Sequence, residues 1–133
     1  MAKSDYRLDD NLDAIAYKVI QAHSELAYLD TNGISIAYQR SNVNKKRNGK
    51  VVFADTEKIK DKYGVFIPHD FLITFYADSN NISNEILEKL MYHELRHVGF
   101  SEGKTFIVPH DVEDFKDIIN IWGIDWIGIK EEF

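Results

Sequence analysis

The fold of this chain is decided by residues 83–100, SNEILEKLMYHELRHVGF. Apolar side chains recur there at intervals of three and four residues, which predicts an amphipathic helix with one face on the core. Ser83 is a favourable N-cap, and Glu85 places a carboxylate in the first turn, where the helix dipole favours anions. We expect this helix to run to about Val98 and Gly99 to be the residue that ends it.

Two histidines in the predicted helix, His93 and His97, are four residues apart and therefore lie on one face, one turn from each other. Imidazole nitrogens in this arrangement can occupy adjacent corners of a tetrahedral zinc site. Glu94 follows about 100° around the helix. In the zinc-peptidase arrangement it contacts water at the metal and does not bind the metal itself. The pattern predicts His93 and His97 as metal ligands, zinc as the cofactor and Glu94 as the catalytic base. The alternative is a surface helix with two solvated histidines.

A third metal ligand has to come from elsewhere in the chain, since a catalytic zinc typically has three protein ligands and a water. We predict His110, because the segment after His97 is long enough to reverse and bring a second helix, starting at Pro109, over the metal. Asp114 is the rival, either as a ligand or as a hydrogen-bond partner that orients a histidine. Asp111 is a second candidate for that orienting role.

Other histidines and two tyrosines are weaker candidates. His69 follows Pro68 and is interpreted as a surface turn residue, with substrate binding near the metal as the alternative. His23 lies on the apolar face of the first predicted helix and is interpreted as a core residue. Tyr63 and Tyr76 are both candidate hydrogen-bond donors to an oxyanion, and the sequence does not choose between them.

The rest of the chain predicts an α+β fold in a single domain, residues 1–133. We expect a small antiparallel or mixed sheet packed against an N-terminal helix and the histidine-bearing helix. Periodicity and turn residues give the following elements. They are a helix over residues 8–29, strands over 34–38, 50–54 and 70–77, helical turns over 56–63, an extended piece at 106–108, a last helix over 109–120 and an apolar tail over 122–129. A hairpin is expected between the strands at 34–38 and 50–54.

The chain is acidic overall, with a net charge of -6 and a pI of about 5.3. Nucleic-acid binding is therefore not expected, because phosphate binding needs a basic footprint. One basic run, KKRNGK at residues 45–50, is interpreted as a solvated hairpin loop, with a local phosphate-binding loop as the alternative.

Cysteine is absent from the chain, which excludes disulfides and thiolate metal ligands and fits a reducing compartment. No apolar run approaches membrane-spanning length, and the first residues lack the apolar core of a signal peptide. We therefore expect a cytoplasmic protein without membrane contact.

Two segments resemble the phage metallopeptidase family, namely YHELRHVGF at residues 92–100 and PHDVEDF at residues 109–115. More distantly they are similar to SprT-like metalloprotease domains, which also have an aromatic residue five positions after the third histidine, as Phe115 follows His110. The resemblance implies a zincin-like fold with His93, His97 and His110 as zinc ligands and Glu94 as the catalytic base. For a phage-encoded protein, it implies action in the host cytoplasm.

The predicted function is hydrolysis of peptide bonds in a protein or peptide substrate, with an extended substrate added to the strand at residues 71–76. Two alternatives stay open. One is a non-catalytic zinc-containing module that binds a host protein, which a closed site of His93, His97, His110 and Asp114 would favour. The other is hydrolysis of a non-peptide amide by the same site.

Overall fold

The computed structural model describes residues 4–109. The predicted last helix and apolar tail, and with them His110, Asp111 and Asp114, lie outside the described residues. Within residues 4–109, no helix has both the length and the apolar character needed to cross a membrane. The elements of this range are β1 (Tyr6–Leu8), α1 (Asp10–Ala22), α2 (Ala27–Thr31), β2 (Ile36–Ser41), β3 (Lys45–Arg47), β4 (Lys50–Val52), β5 (Ala54–Lys58), β6 (Phe71–Phe75), α3 (Asn84–Leu95), β7 (Val98–Ser101) and β8 (Lys104–Ile107).

The predicted α+β fold is confirmed as a mixed four-stranded sheet in the order β1-β2-β6-β5. Strand β2 runs parallel to β6, whereas β1 and β5 are antiparallel to their neighbours. Alternate residues of β6, Phe71, Ile73 and Phe75, are fully buried and belong to one core cluster with side chains of α1 and α3. The sheet therefore packs against both helices, as expected.

The central position of β6 overturns one prediction. Because β6 is hydrogen-bonded to β2 on one side and to β5 on the other, it has no open edge to which a peptide could add. The prediction of substrate addition at residues 71–76 is therefore wrong. Within residues 4–109, the outer strands of this sheet are β1 and β5.

The first helix is shorter than predicted. Asp9 caps α1 by accepting a hydrogen bond from the Leu12 amide at 3.1 Å, but the helix ends at Ala22. His23 has extended backbone angles (φ -127, ψ 106), and its ring packs on Tyr92 of α3 with centroids 4.5 Å apart. A short 3-10 turn then leads into α2, so two helices, Asp10–Ala22 and Ala27–Thr31, are present where one helix over residues 8–29 is predicted.

The basic run at residues 45–50 forms a hairpin of its own. Strands β3 and β4 pair through a two-residue turn at Asn48 and Gly49, with φ of 54° and 79°. Positive φ at both positions is the requirement of the turn that best matches strand twist, and Asn-Gly is its preferred sequence. The predicted hairpin between residues 34–38 and 50–54 is therefore wrong. Of the predicted helical turns at 56–63, the first part is instead the end of β5, and the second part is confirmed as a 3-10 turn over Asp61–Tyr63 that ends at Gly64.

Helix α3 begins as predicted, with the Ser83 side chain accepting a hydrogen bond from the Ile86 amide at 3.4 Å. It ends at Leu95, earlier than predicted, and Gly99 lies in β7. Gly99 pairs with Phe106 of β8, and a Cβ at this glycine would come within 2.3 Å of the Phe106 ring. The glycine therefore leaves room for the Phe106 ring across the strand pair, and the helix ends without it.

Candidate metal centre and active site

His93 and His97 face each other across a very short distance. His93 lies in the last turn of α3, and His97 lies just past its end. Their Nε2 atoms are 3.3 Å apart, and their rings meet edge to face with centroids 4.9 Å apart. Both residues are buried, with 0% and 6% of their surface exposed, so the alternative of two solvated surface histidines is wrong.

The ring of His97 is oriented by the hairpin of β7 and β8. Its Nδ1 lies 2.6 Å from the Val108 carbonyl oxygen, and the Val108 amide donates to the His97 carbonyl at 2.8 Å. A carbonyl oxygen can only accept, so the proton of this bond is on Nδ1. In the neutral ring, Nε2 then carries the lone pair, which is the form that binds a metal.

The separation of the two Nε2 atoms fits a shared metal ion. Zinc–nitrogen bonds of about 2.0–2.1 Å at a tetrahedral angle put two ligand nitrogens about 3.3–3.4 Å apart. The observed distance is 3.3 Å. Within residues 4–109, no group of three or more His, Cys, Asp or Glu side chains is arranged to hold a metal, and His110, the predicted third ligand, lies outside that range.

Glu94 is buried beside this pair and is held by the sheet. Only 2% of its surface is exposed. The Thr56 hydroxyl of β5 lies 2.8 Å from Glu94 Oε1 and 3.1 Å from the Glu94 carbonyl oxygen. Because both are acceptors, the hydroxyl donates to Glu94 and fixes the direction of its carboxylate.

Thr56 is a site residue that sequence reasoning missed. The sequence predicts helical turns from residue 56, whereas the structure has a strand, β5, that begins at Ala54. Because successive side chains of a strand point to opposite faces, Ala54 and Thr56 share one face. Thr56 would then stand out as a polar side chain directed towards the helices.

A cavity of about 180 Å³ opens beside these groups. It lies between the hairpin of β3 and β4, strand β5 and the end of the hairpin of β7 and β8. Its lining includes Arg47, Asp55, Thr56, Glu94, His97 and Pro109. The cavity therefore brings a ligand next to two of the predicted site residues, Glu94 and His97.

Asp55 joins the first hairpin to the sheet. Its Oδ2 atom accepts a hydrogen bond from the Tyr76 hydroxyl at 3.0 Å and pairs with the Lys45 ammonium. Burial, and next the Asp55 carboxylate, raise the pKa of Tyr76 well above its ordinary value. The phenol therefore stays protonated and is engaged as a donor to Asp55.

The remaining candidates are not brought to this cavity. Tyr76 is not among the lining residues, and Tyr63 lines a separate groove with Ile67 and Leu72. His69 Nδ1 lies 2.7 Å from the Ser35 hydroxyl. His23 packs on Tyr92 and its Nδ1 lies 3.5 Å from Glu25. Because neither Tyr63 nor Tyr76 lines the cavity, the described residues give no support to either tyrosine as a hydrogen-bond donor to an oxyanion there.

A family model described as "Putative phage metallopeptidase" matches residues 4–132 of the chain. The match covers nearly all of the sequence, including His93, Glu94, His97 and the segment at 109–115. No curated protein and no solved structure gives a significant match. The similarity to SprT-like domains stays a prediction.

Proposed function

This chain belongs to the family described as putative phage metallopeptidases, and from that premise we propose that it is a zinc-dependent peptidase. One observation carries the proposal. The Nε2 atoms of His93 and His97 are 3.3 Å apart, and Glu94, which follows His93 in sequence, is buried and is one of the residues that line a cavity. Within this arrangement, His97 and Glu94 line the cavity, and the fully buried His93 adjoins His97.

The proposed zinc ligands are His93, His97 and His110. Pro109, the last described residue, lines the cavity, and His110 follows it directly in the chain. When bound, the ion supplies a Lewis acid, which acidifies water and polarises a carbonyl group.

Glu94 is the proposed general base. Its carboxylate accepts the proton of the attacking water and later returns it to the leaving amine. The Thr56 hydroxyl at 2.8 Å holds the carboxylate in one orientation, and burial keeps bulk water from competing for it. Thr56 is a positioning residue in this proposal, because it acts through Glu94.

The proposed substrate is an extended segment of a protein. Strand β5 is an outer strand of the four-stranded sheet and carries Thr56. An extended peptide that adds main-chain hydrogen bonds to an outer strand is a common mode of recognition. A peptide along β5 passes the cavity and the Glu94 carboxylate.

The proposed place of action is the cytoplasm of a phage-infected host. This compartment is reducing and suits a chain that contains no cysteine.

The open cavity beside Glu94 and His97 favours a catalytic centre over a closed, purely structural metal site.

The test compares Glu94→Gln with Glu85→Gln, the same substitution at an exposed position of the same helix. Zinc content is measured on each purified protein, and cleavage of a mixed peptide library is followed by mass spectrometry. We expect Glu94→Gln to keep its zinc and to lose about 10²–10⁴-fold in cleavage rate, and the control to behave as the native chain. Native cleavage by the Glu94→Gln protein would refute the assignment of the base.

A further inference from the structure

The hairpin of β3 and β4, residues 45–52 (KKRNGKVV), carries four cations and no anion in a chain of net charge -6. We call it the cationic hairpin. Its register pairs Arg47 with Lys50 and Lys45 with Val52. Paired residues, and alternate residues of one strand, share a face. Lys45, Arg47 and Lys50 therefore lie on one face, and Lys46 lies on the other.

The pairing of Arg47 with Lys50 is locally unfavourable. Like charges directly opposite each other destabilise an antiparallel pair, and a two-residue Asn-Gly turn would form as well with neutral neighbours. An anion bound between the two side chains removes this repulsion. The arrangement is therefore one that a negatively charged ligand stabilises.

Arg47 lines the cavity that also contains Glu94 and His97. More than half of its side chain, 57%, is exposed, and its Nη2 atom is 3.9 Å from Asp55 Oδ2, outside hydrogen-bond distance. That oxygen already binds Lys45 and the Tyr76 hydroxyl. Asp55 is thus shared between Lys45, which anchors the hairpin, and Arg47, whose guanidinium lies within ion-pair distance of the carboxylate but makes no hydrogen bond to it. Arg47 therefore lines the cavity with a charge that is only partly neutralised.

We propose that the cationic hairpin selects the substrate of this site, with Arg47 binding a carboxylate side chain of an acidic peptide next to the cleaved bond and Lys50 adding to the attraction. This rests on the proposed peptidase function. A guanidinium presents a planar fork of donors that matches a carboxylate in two parallel hydrogen bonds. Nucleic acid is the less favoured ligand, because the short hairpin meets few phosphates and the chain as a whole is acidic.

The experiment measures equilibrium binding, so that it does not depend on turnover. The full-length Glu94→Gln protein, supplied with zinc, is titrated into two fluorescein-labelled peptides of Gly, Ser and Ala that differ only in carrying four glutamates or four glutamines. Arg47→Gln and Arg47→Lys are introduced into the same protein. Lys62→Gln serves as the control, since it removes one charge from an exposed residue outside the cavity lining.

We expect the glutamate peptide to bind at least about tenfold more tightly than the glutamine peptide, as one charge-assisted pair provides. Arg47→Gln should abolish this preference, Arg47→Lys should retain part of it, and Lys62→Gln should leave it intact. Arg47→Gln removes both the repulsion with Lys50 and the long ion pair with Asp55. Because these effects oppose each other, its Tm should change little, which separates lost recognition from lost folding.

Equal binding of the two peptides, or a preference that survives Arg47→Gln, overturns the proposal. So does a single-stranded DNA oligonucleotide that binds more tightly than the glutamate peptide and depends on Arg47. The peptidase proposal fails separately, if the native chain cleaves no peptide; a preference that Arg47→Gln abolishes would then still support the cationic hairpin as an acidic-peptide site.

Discussion

Replacement of Thr56 by valine should remove the hydrogen bond between strand β5 and Glu94, the proposed catalytic base. The hydroxyl of Thr56 lies 2.8 Å from the Glu94 carboxylate and 3.1 Å from the Glu94 carbonyl oxygen. Valine has nearly the same shape but no donor. Glu94 is only 2% exposed, so bulk water has little access to replace the lost hydrogen bond.

The size of the effect follows from that geometry. A hydrogen bond to a charged group contributes about 1.5–3 kcal/mol to stability. We therefore expect Thr56→Val to lower the free energy of unfolding by about 2 kcal/mol in metal-free protein. In the zinc-loaded protein, the less constrained carboxylate should lower kcat/KM about tenfold with zinc content unchanged.

The assay is urea unfolding of a double-mutant cycle with zinc chelated throughout. It compares the native chain, Thr56→Val, Glu94→Ala and the combination of both. Because the cycle cancels changes specific to either side chain, it isolates the hydroxyl–carboxylate interaction. We expect a coupling of about 1.5 kcal/mol. A coupling within about 0.3 kcal/mol of zero, the usual limit of additivity, refutes the reasoning.

Three further predictions concern other parts of the molecule. Asp9→Ala should lower the free energy of unfolding by about 1 kcal/mol through loss of the α1 cap, and Asp9→Asn should retain the cap. Burial raises the pKa of Asp9, but hydrogen bonds from Arg40 and the Leu12 amide outweigh it and lower the pKa. The stabilisation by the Asp9 charge is therefore present above the unfolded pKa and lost as pH falls through the folded one, so urea midpoints of the native chain and Asp9→Asn should converge in acid. Gly99→Ala should cost about 1–3 kcal/mol, because the new methyl would meet the Phe106 ring at 2.3 Å, and adding Phe106→Ala should restore most of the loss in thermal unfolding. Zinc at 100 times its Kd should stabilise the native chain by about 2.7 kcal/mol, an effect that EDTA should remove and that should be absent in His97→Ala; equal stability with and without zinc would contradict the metal assignment.

The parts of the fold that the sequence predicts correctly are those with a strong local signal. Helix α3 has a capping serine and a regular apolar stripe, and β6 is a run of β-branched and aromatic residues. Both are formed as predicted in type and nearly in extent. The contact between His93 and His97 also depends on their spacing of four residues. Although α3 ends at Leu95, the chain makes one further turn, and the two rings stay adjacent.

The errors occur where contacts between distant residues decide the outcome. Nothing in the local sequence requires α1 to end at Ala22, where His23 turns out to pack on Tyr92. The partner of a strand is not encoded in the strand itself, so the sequence could not place β6 in the centre of the sheet or β5 at its side. For the same reason Thr56, which is distant in sequence from Glu94, was not predicted to contact it.

The most direct test of the account is zinc K-edge X-ray absorption on protein loaded with one equivalent of zinc. We expect one tightly bound ion per chain, with nitrogen neighbours at about 2.0–2.1 Å and the outer-shell scattering of at least two imidazole rings. His93→Ala and His97→Ala should each remove one imidazole contribution. A protein that takes up no zinc, or an ion surrounded only by oxygen and unaffected by either substitution, would contradict it.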